Sequence, residues 1–162
     1  MNTVVFLDVD GVLNTVNTVE RAPSGAVGID DLRVSALSRA MKENEITGVV
    51  LTTTWKDLGS ENEDYIYLTE TLRKYGIDVT GSIENEDCFG RGQGIVDYLR
   101  VHPEIEDFIV LDDQRFDFRR HDRIWERFLD TGGKGLENAF TPSETPSISA
   151  MLFLDSIVRM KK

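Results

Sequence analysis

The stretch Val4-Val5-Phe6-Leu7-Asp8-Val9-Asp10-Gly11-Val12-Leu13-Asn14 constrains this chain more than any other. It opens as an apolar run of β-forming residues, the pattern of a strand buried on both faces. It then meets two aspartates, one residue apart, and a glycine. Carboxylates in the middle of a buried strand carry a large desolvation cost. Asp8 and Asp10 therefore belong at the carboxyl end of the strand, the edge where open α/β sheets bind ligands. Residues two positions apart on a strand point to the same side, and Gly11 lets the backbone turn sharply after them.

With 162 residues, 40% of them hydrophobic and 29% charged, the chain reads as one soluble globular domain spanning 1–162. No apolar run approaches the roughly 20 residues needed to span a bilayer. The amino-terminal residues do not read as a signal peptide, since there is no basic leader. The lone cysteine, Cys88, fits a reducing, cytoplasmic compartment and reads as an ordinary thiol. A net charge of −11 argues against non-specific nucleic-acid binding, which needs Lys and Arg on phosphates, and suits a protein that concentrates divalent metal. Nothing in the chain implies a stable protein partner.

Strand and helix signals alternate along the chain. A first strand over 3–9 is followed by a long loop over 11–28 containing Pro23, Gly25 and Gly28. The spacing of Leu32, Leu37, Ala40 and Met41 predicts a helix from Ile29 to about Asn44. A strand from Ile46 to Leu51 runs into Thr52-Thr53-Thr54-Trp55-Lys56. Ser60 to Glu63 reads as a capping box opening a helix with Ile66, Leu68, Leu72 and Tyr75 inward, closed by Gly76. A short strand, Ile77 to Thr80, leads into an acidic loop over Glu84 to Gly90. Arg91 opens a helix to about Val101, closed by Pro103. Phe108 to Leu111 is a strand ending in Asp112-Asp113. The charged segment from Arg115 to Arg127 is left unassigned, and Trp125 to Leu129 reads as a further strand. Thr131-Gly132-Gly133-Lys134-Gly135 lacks the spacing of a phosphate loop and reads as a flexible turn. The last helix runs from Ser143 or Pro146 to Met160, with Ile148, Met151, Leu152, Leu154 and Ile157 inward. This alternation implies a parallel sheet with right-handed crossovers.

Three apolar strands thus end in polar clusters: Asp8/Asp10, Thr52/Thr53 and Asp112/Asp113. Parallel strands bring all three ends to one edge. For Asp8 to Gly11 alone, a calcium-type acidic turn is the competing reading, and for Asp112-Asp113 a plain turn after a strand. His102 and His121 are isolated and are not expected to ligate metal.

The pattern Asp8-x-Asp10-Gly11-x-Leu13-Asn14 resembles the first motif of the haloacid dehalogenase (HAD) superfamily of phosphohydrolases. The order acidic, hydroxyl, basic, paired acidic also resembles that superfamily. Trp55 and Lys56 resemble a subset of small HAD proteins in which a serine run is followed by Trp and Arg. No Lys stands at the usual third-motif position. Arg91-Gly92-x-x-Ile95, an apolar helix, Pro103 and a strand ending Asp-Asp are similar to the HAD domains associated with RNA-repair proteins.

The resemblance implies a Rossmann-like three-layer α/β/α sandwich with a central, mainly parallel sheet and no large cap domain. It implies a Mg²⁺-dependent phosphatase working through an aspartyl-phosphate, with Asp8 as nucleophile and Asp10 as general acid and base. Thr52, Thr53 and Arg91 would bind phosphate, Arg91 as a planar fork aided by the helix amino terminus. Asp8, Asp112, Asp113 and the main-chain carbonyl of Asp10 would serve Mg²⁺. Asn14 is a candidate substrate contact, and so are Arg119 and Arg120, in an arginine-rich stretch with Arg115, Arg123 and Arg127 whose competing reading is a solvated charged face paired with Asp117, Asp122 and Glu126. The expected substrate is a phosphorylated small molecule or a nucleic-acid end. The alternative is a non-catalytic domain that binds phosphorylated ligands on the same scaffold, and a phosphotransferase or phosphonate-cleaving relative is a third reading.

Overall fold

In this computed structural model, which describes residues 2–85 and 88–160, five strands form one parallel sheet. They are β1 (Thr3–Leu7), β2 (Gly48–Leu51), β3 (Val79–Ser82), β4 (Asp107–Asp112) and β5 (Phe128–Asp130), in the order β3-β2-β1-β4-β5. β1 pairs with both β2 and β4, and β4 with β5, all in parallel. Because β1 is central, both of its faces need apolar cover, and all five of its residues are buried.

Side chains alternate across the sheet and divide the core in two. On one face Val5, Leu7, Val49, Leu51, Ile109, Leu111 and Leu129 pack under α1 (Asp31–Glu43), α2 (Glu63–Lys74) and α5 (Ile148–Met160). On the other, Val4, Phe6, Val50, Phe108, Val110 and Phe128 pack under α3 (Arg91–Val101) and α4 (Asp122–Trp125). The result is a three-layer α/β/α core with no large cap. No helix among the described residues is long and apolar enough to cross a membrane.

The strand order reverses between β1 and β4, where crossovers leave in opposite directions and open a crevice at the carboxyl edge. Asp8, one residue past β1, and Asp112, the last residue of β4, stand at that crevice.

Several local expectations are corrected. The cap of α2 is Asn62, whose side chain accepts from the Asp64 and Tyr65 amides, rather than a box opening at Ser60. Leu32 and Ile66 point to solvent, while Val34 joins the core. β3 begins at Val79 and β5 at Phe128, each later than predicted. On α5, Ala150, Phe153 and Ile157 face inward, while Ile148, Met151 and Leu152 are exposed. That helix is apolar on most sides, so its period does not choose a face. The unassigned segment folds as a 3₁₀ turn (Phe118–Arg120) and α4, anchored by the buried Phe118 and Ile124. Glu86 and Asp87 of the acidic loop, and the side chain of Cys88, lie outside the described residues.

Candidate active site

The carboxyl ends of β1 and β4 and the start of α3 deliver the charged groups of the crevice. Asp8, Asp112 and Asp113 offer oxygens that all lie within 4.8 Å of one another. Asp8 and Asp112 are 4% and 0% exposed, so neither charge is relieved by water. Arg91, at the start of α3, faces them with one terminal nitrogen, Nη1, 2.7 Å from Asp112 Oδ2 and 3.3 Å from Asp8 Oδ1. The other oxygen of Asp112 accepts from the Asp113 and Gln114 amides, which holds its carboxylate in a turn.

The electrostatics follow from this crowding. Burial, then the charge of Asp112, pushes the Asp8 carboxyl well above the usual carboxylate range, and Arg91 only partly offsets this. Burial lifts Asp112 to about 7 against the opposing pull of Arg91. Burial works against the Arg91 charge, but Asp112 and Asp8 outweigh it and hold the guanidinium above its ordinary value. At an effective dielectric of about 20, two carboxylates 4.8 Å apart repel by about 3 kcal/mol. With all three carboxylates ionised, one guanidinium leaves two negative charges uncompensated, which is the charge of one divalent cation. An all-oxygen, all-carboxylate donor set suits a hard cation such as Mg²⁺.

The turn that carries the cluster is built from backbone. Gly11 has φ of +83°, and a Cβ there would meet Asp113 Oδ2 at 2.6 Å, so only glycine fits. The Gly11 carbonyl accepts from Thr131 Oγ1 at 2.7 Å and from the Gly135 amide at 3.0 Å. The glycine-rich segment read as a flexible turn therefore clamps the Asp10–Val12 backbone.

Among the threonines, Thr52 is 1% exposed, its amide donates to the Leu7 carbonyl, and its hydroxyl is buried with no protein partner. Thr53 Oγ1 instead accepts from the Trp55 amide and caps the following 3₁₀ turn, Thr54–Leu58. Arg91 Nε is a second buried, unpartnered polar atom at the site. Buried polar groups are almost always satisfied, so two orphans beside one crevice mark a place for a ligand.

Asp10 stands apart from the acidic cluster. Its side chain is exposed, and its oxygens accept from Asn14 Nδ2 at 2.9 Å and Trp55 Nε1 at 3.1 Å. Asn14 is buried, and its amide also bonds the Gly11 amide and the Gly28 carbonyl, so it faces Asp10 rather than outward.

The amino end of α3 departs from expectation. The Gly92 and Gln93 amides donate to the Asp117 carboxylate at 2.6 and 3.0 Å, so the chain's own anion occupies the site expected to add phosphate affinity. The same loop lays the Phe116 ring 4.5 Å from the Arg91 guanidinium, with Phe116 at φ of +43°. His102 and His121 stay outside the acidic cluster, beside Glu104 and Asp117.

The arginine-rich stretch is dispersed. Arg127 pairs with Asp107 and Glu126, and Arg123 donates to the Glu106 carbonyl, both near the amino end of β4. Arg115 pairs with Asp130. Arg119 rests over the Trp125 ring at 5.7 Å, and Arg119 and Arg120 are exposed with no ion pair among the described residues.

A family model described as the HAD domain in Swiss Army Knife RNA repair proteins matches residues 4–139. The chain belongs to that family. No curated protein and no solved structure matches it. The matched span holds every residue of the acidic cluster, Arg91, and the loop that braces them. The family is of phosphatase type, and the acidic cluster is compatible with that chemistry.

In this HAD domain the sequence reading missed Phe116, Asp117 and the Trp55–Asp10 bond. Asp117 carries no local signal of its partner, since it lies 25 residues from Gly92. Trp55 did stand in a recognisable motif, but nothing in the spacing pointed its indole at Asp10.

Proposed function

We propose that this protein is a Mg²⁺-dependent phosphomonoester hydrolase acting through an aspartyl-phosphate on Asp8. The observation that carries the reading is the meeting of Asp8, Asp112, Asp113 and Arg91 at the β1/β4 crevice, beside the orphaned Thr52 hydroxyl. Asp8, Asp112 and Asp113 would hold the cation, with the main-chain carbonyl of Asp10 as the further donor implied by the family. When bound, it removes the repulsion between carboxylate and phosphate and offsets charge in the transition state.

The chain's own residues then divide the work. Thr52 donates its hydroxyl to a phosphate oxygen, and Arg91 presents Nε to another. Asp8 attacks phosphorus, and the P–O bond to the alcohol breaks. Asp10, protonated, gives its proton to the departing oxygen. As a carboxylate it then takes a proton from the water that attacks the phosphoaspartate, releasing inorganic phosphate and restoring both aspartates. Arg91 holds Asp8 and Asp112 in place throughout. Thr53 contributes by capping the turn that follows Thr52.

The substrate we infer is a phosphorylated nucleic-acid end. The family description, RNA repair, supports it. So do Arg119 and Arg120, exposed cations mounted on the loop that touches Arg91 through Phe116. The single cysteine suits a reducing, cytoplasmic setting.

The test is hydrolysis of p-nitrophenyl phosphate and of 5′- and 3′-phosphorylated oligonucleotides, with Mg²⁺ or with EDTA. Mg²⁺-dependent release of phosphate that vanishes in folded Asp8→Asn is the expected result. Binding of the oligonucleotide without turnover would instead identify a phospholigand-binding domain.

A further inference from the structure

Asp10 is exposed, yet its carboxylate is not free to turn. Asn14 Nδ2 donates to Oδ1 at 2.9 Å and Trp55 Nε1 to Oδ2 at 3.1 Å, so each oxygen is held by a separate donor from a separate part of the chain. Both donors are themselves fixed. Asn14 is 3% exposed, with Oδ1 accepting from the Gly11 amide at 3.0 Å and Nδ2 donating also to the Gly28 carbonyl at 2.8 Å. Trp55 is 7% exposed, and its backbone amide is bound by Thr53 Oγ1. Swinging either donor away would strand buried polar atoms, which is costly. Beyond Asp10 and Trp55 opens a cleft of about 420 Å³ walled by Ala26, Val27, Thr54, Leu58 and Asp64, whose carboxylate accepts from the Ser24 amide and hydroxyl.

We infer that Trp55 and Asn14 are positioning residues that aim the Asp10 carboxyl into this cleft, and that the cleft receives the leaving group. The inference rests on the phosphatase reading above. A proton donor must lie within hydrogen-bond reach of the oxygen it serves. A carboxylate has about two lone-pair sites on each oxygen. With one site on each oxygen taken by an N–H, its plane is set and the remaining sites are left for the ester oxygen and then for water. The indole N–H is a donor only, so Trp55 holds the carboxylate without accepting its proton. A phenylalanine keeps an aromatic ring in the buried site but removes the N–H, and the packing it loses would slow both substrates alike.

Leaving groups of different basicity separate positioning from packing. p-Nitrophenolate departs without a proton, whereas the alkoxide of β-glycerol phosphate needs one. Trp55→Phe should lower kcat/KM for β-glycerol phosphate by about 10–100-fold, part of the typical worth of a positioned acid, and for p-nitrophenyl phosphate by about threefold or less. Asn14→Asp keeps the acceptor for the Gly11 amide, loses the donor and sets a carboxylate against Asp10 Oδ1, and it should show the same split. An equal fall for both substrates, or no fall, overturns the inference. A second measurement needs no turnover. The chain has two tryptophans, so ¹H–¹⁵N spectra show two indole signals. Asp10→Ala should move the Trp55 signal and leave that of Trp125 in place. An unmoved Trp55 signal overturns the contact itself. If Asp10→Ala moves that signal but the wild type hydrolyses neither substrate, the phosphatase reading is removed, and the inference falls with it.

Discussion

Replacing Arg91 tests whether the acidic cluster is held by one guanidinium. Arg91→Met keeps most of the side chain's bulk and removes the only cation bonded to Asp8 and Asp112 among the described residues. Breaking a buried ion pair by removing one partner typically costs about 3–5 kcal/mol. That cost applies only while the carboxylates are charged. Asp112 has a folded pKa near 7, and Asp8 is also raised, so the pair carries less negative charge at pH 5 than at pH 8. At pH 5 the guanidinium contributes mainly hydrogen bonds and its contact with Phe116, worth about 1–2 kcal/mol. The sign follows from proton counting. Each raised group binds more protons folded than unfolded, so stability falls as pH rises from the unfolded value near 4 through the folded one. Removing Arg91 raises both values further and deepens that fall. For a chain of 162 residues, 1 kcal/mol is about 2–4 °C in Tm. Thermal unfolding in EDTA should therefore show a loss of about 2–8 °C at pH 5 and about 6–20 °C at pH 8. Arg91→Lys should recover much of the loss at pH 8, because a single nitrogen makes both carboxylate contacts. Equal losses at the two pH values would refute the charge argument.

Asp8→Asn should abolish phosphate release while raising the Tm of the metal-free protein at pH 8, since it removes one of two buried like charges; calorimetry with a turnover assay checks both. Mg²⁺ should bind more tightly as pH rises through about 7, where the Asp112 proton competing for the site is released, and Asp112→Ala should weaken binding throughout, as titration calorimetry at pH 5.5 and 8 would show. Changing Arg119 and Arg120 to Ala should raise KM for a phosphorylated oligonucleotide well beyond any change for p-nitrophenyl phosphate, and should flatten the salt dependence by about one unit of slope for each backbone phosphate the variant no longer neutralises. Gly11→Ala should cost about 1–2 kcal/mol for its left-handed φ alone, and more by displacing Asp113, seen as a lower Tm with weakened Mg²⁺ binding.

Part of this architecture is set locally. Buried strands exclude carboxylates, so Asp8 after Val4–Leu7 and Asp112 after Phe108–Leu111 had to emerge at strand ends, and strand–helix alternation had to align those ends along one edge. Arg91 at a helix start and the hydroxyl at Thr52 were readable for the same reason. Only the tertiary structure decided what each side chain meets there. The two Arg91 contacts need β4 beside β1, and the Trp55 indole reaches Asp10 across 45 positions. Thr131 reaches the Gly11 carbonyl across 120. No periodicity spans such distances, because they depend on strand order and on the paths of loops. The same limit explains α5, where an almost wholly apolar helix names no inward face until α1 packs against it. It explains α3 too, where the anion expected from a substrate turned out to be the chain's own Asp117. Strand ends reveal where charge must leave the core; which partner waits there is settled only when distant segments pack together.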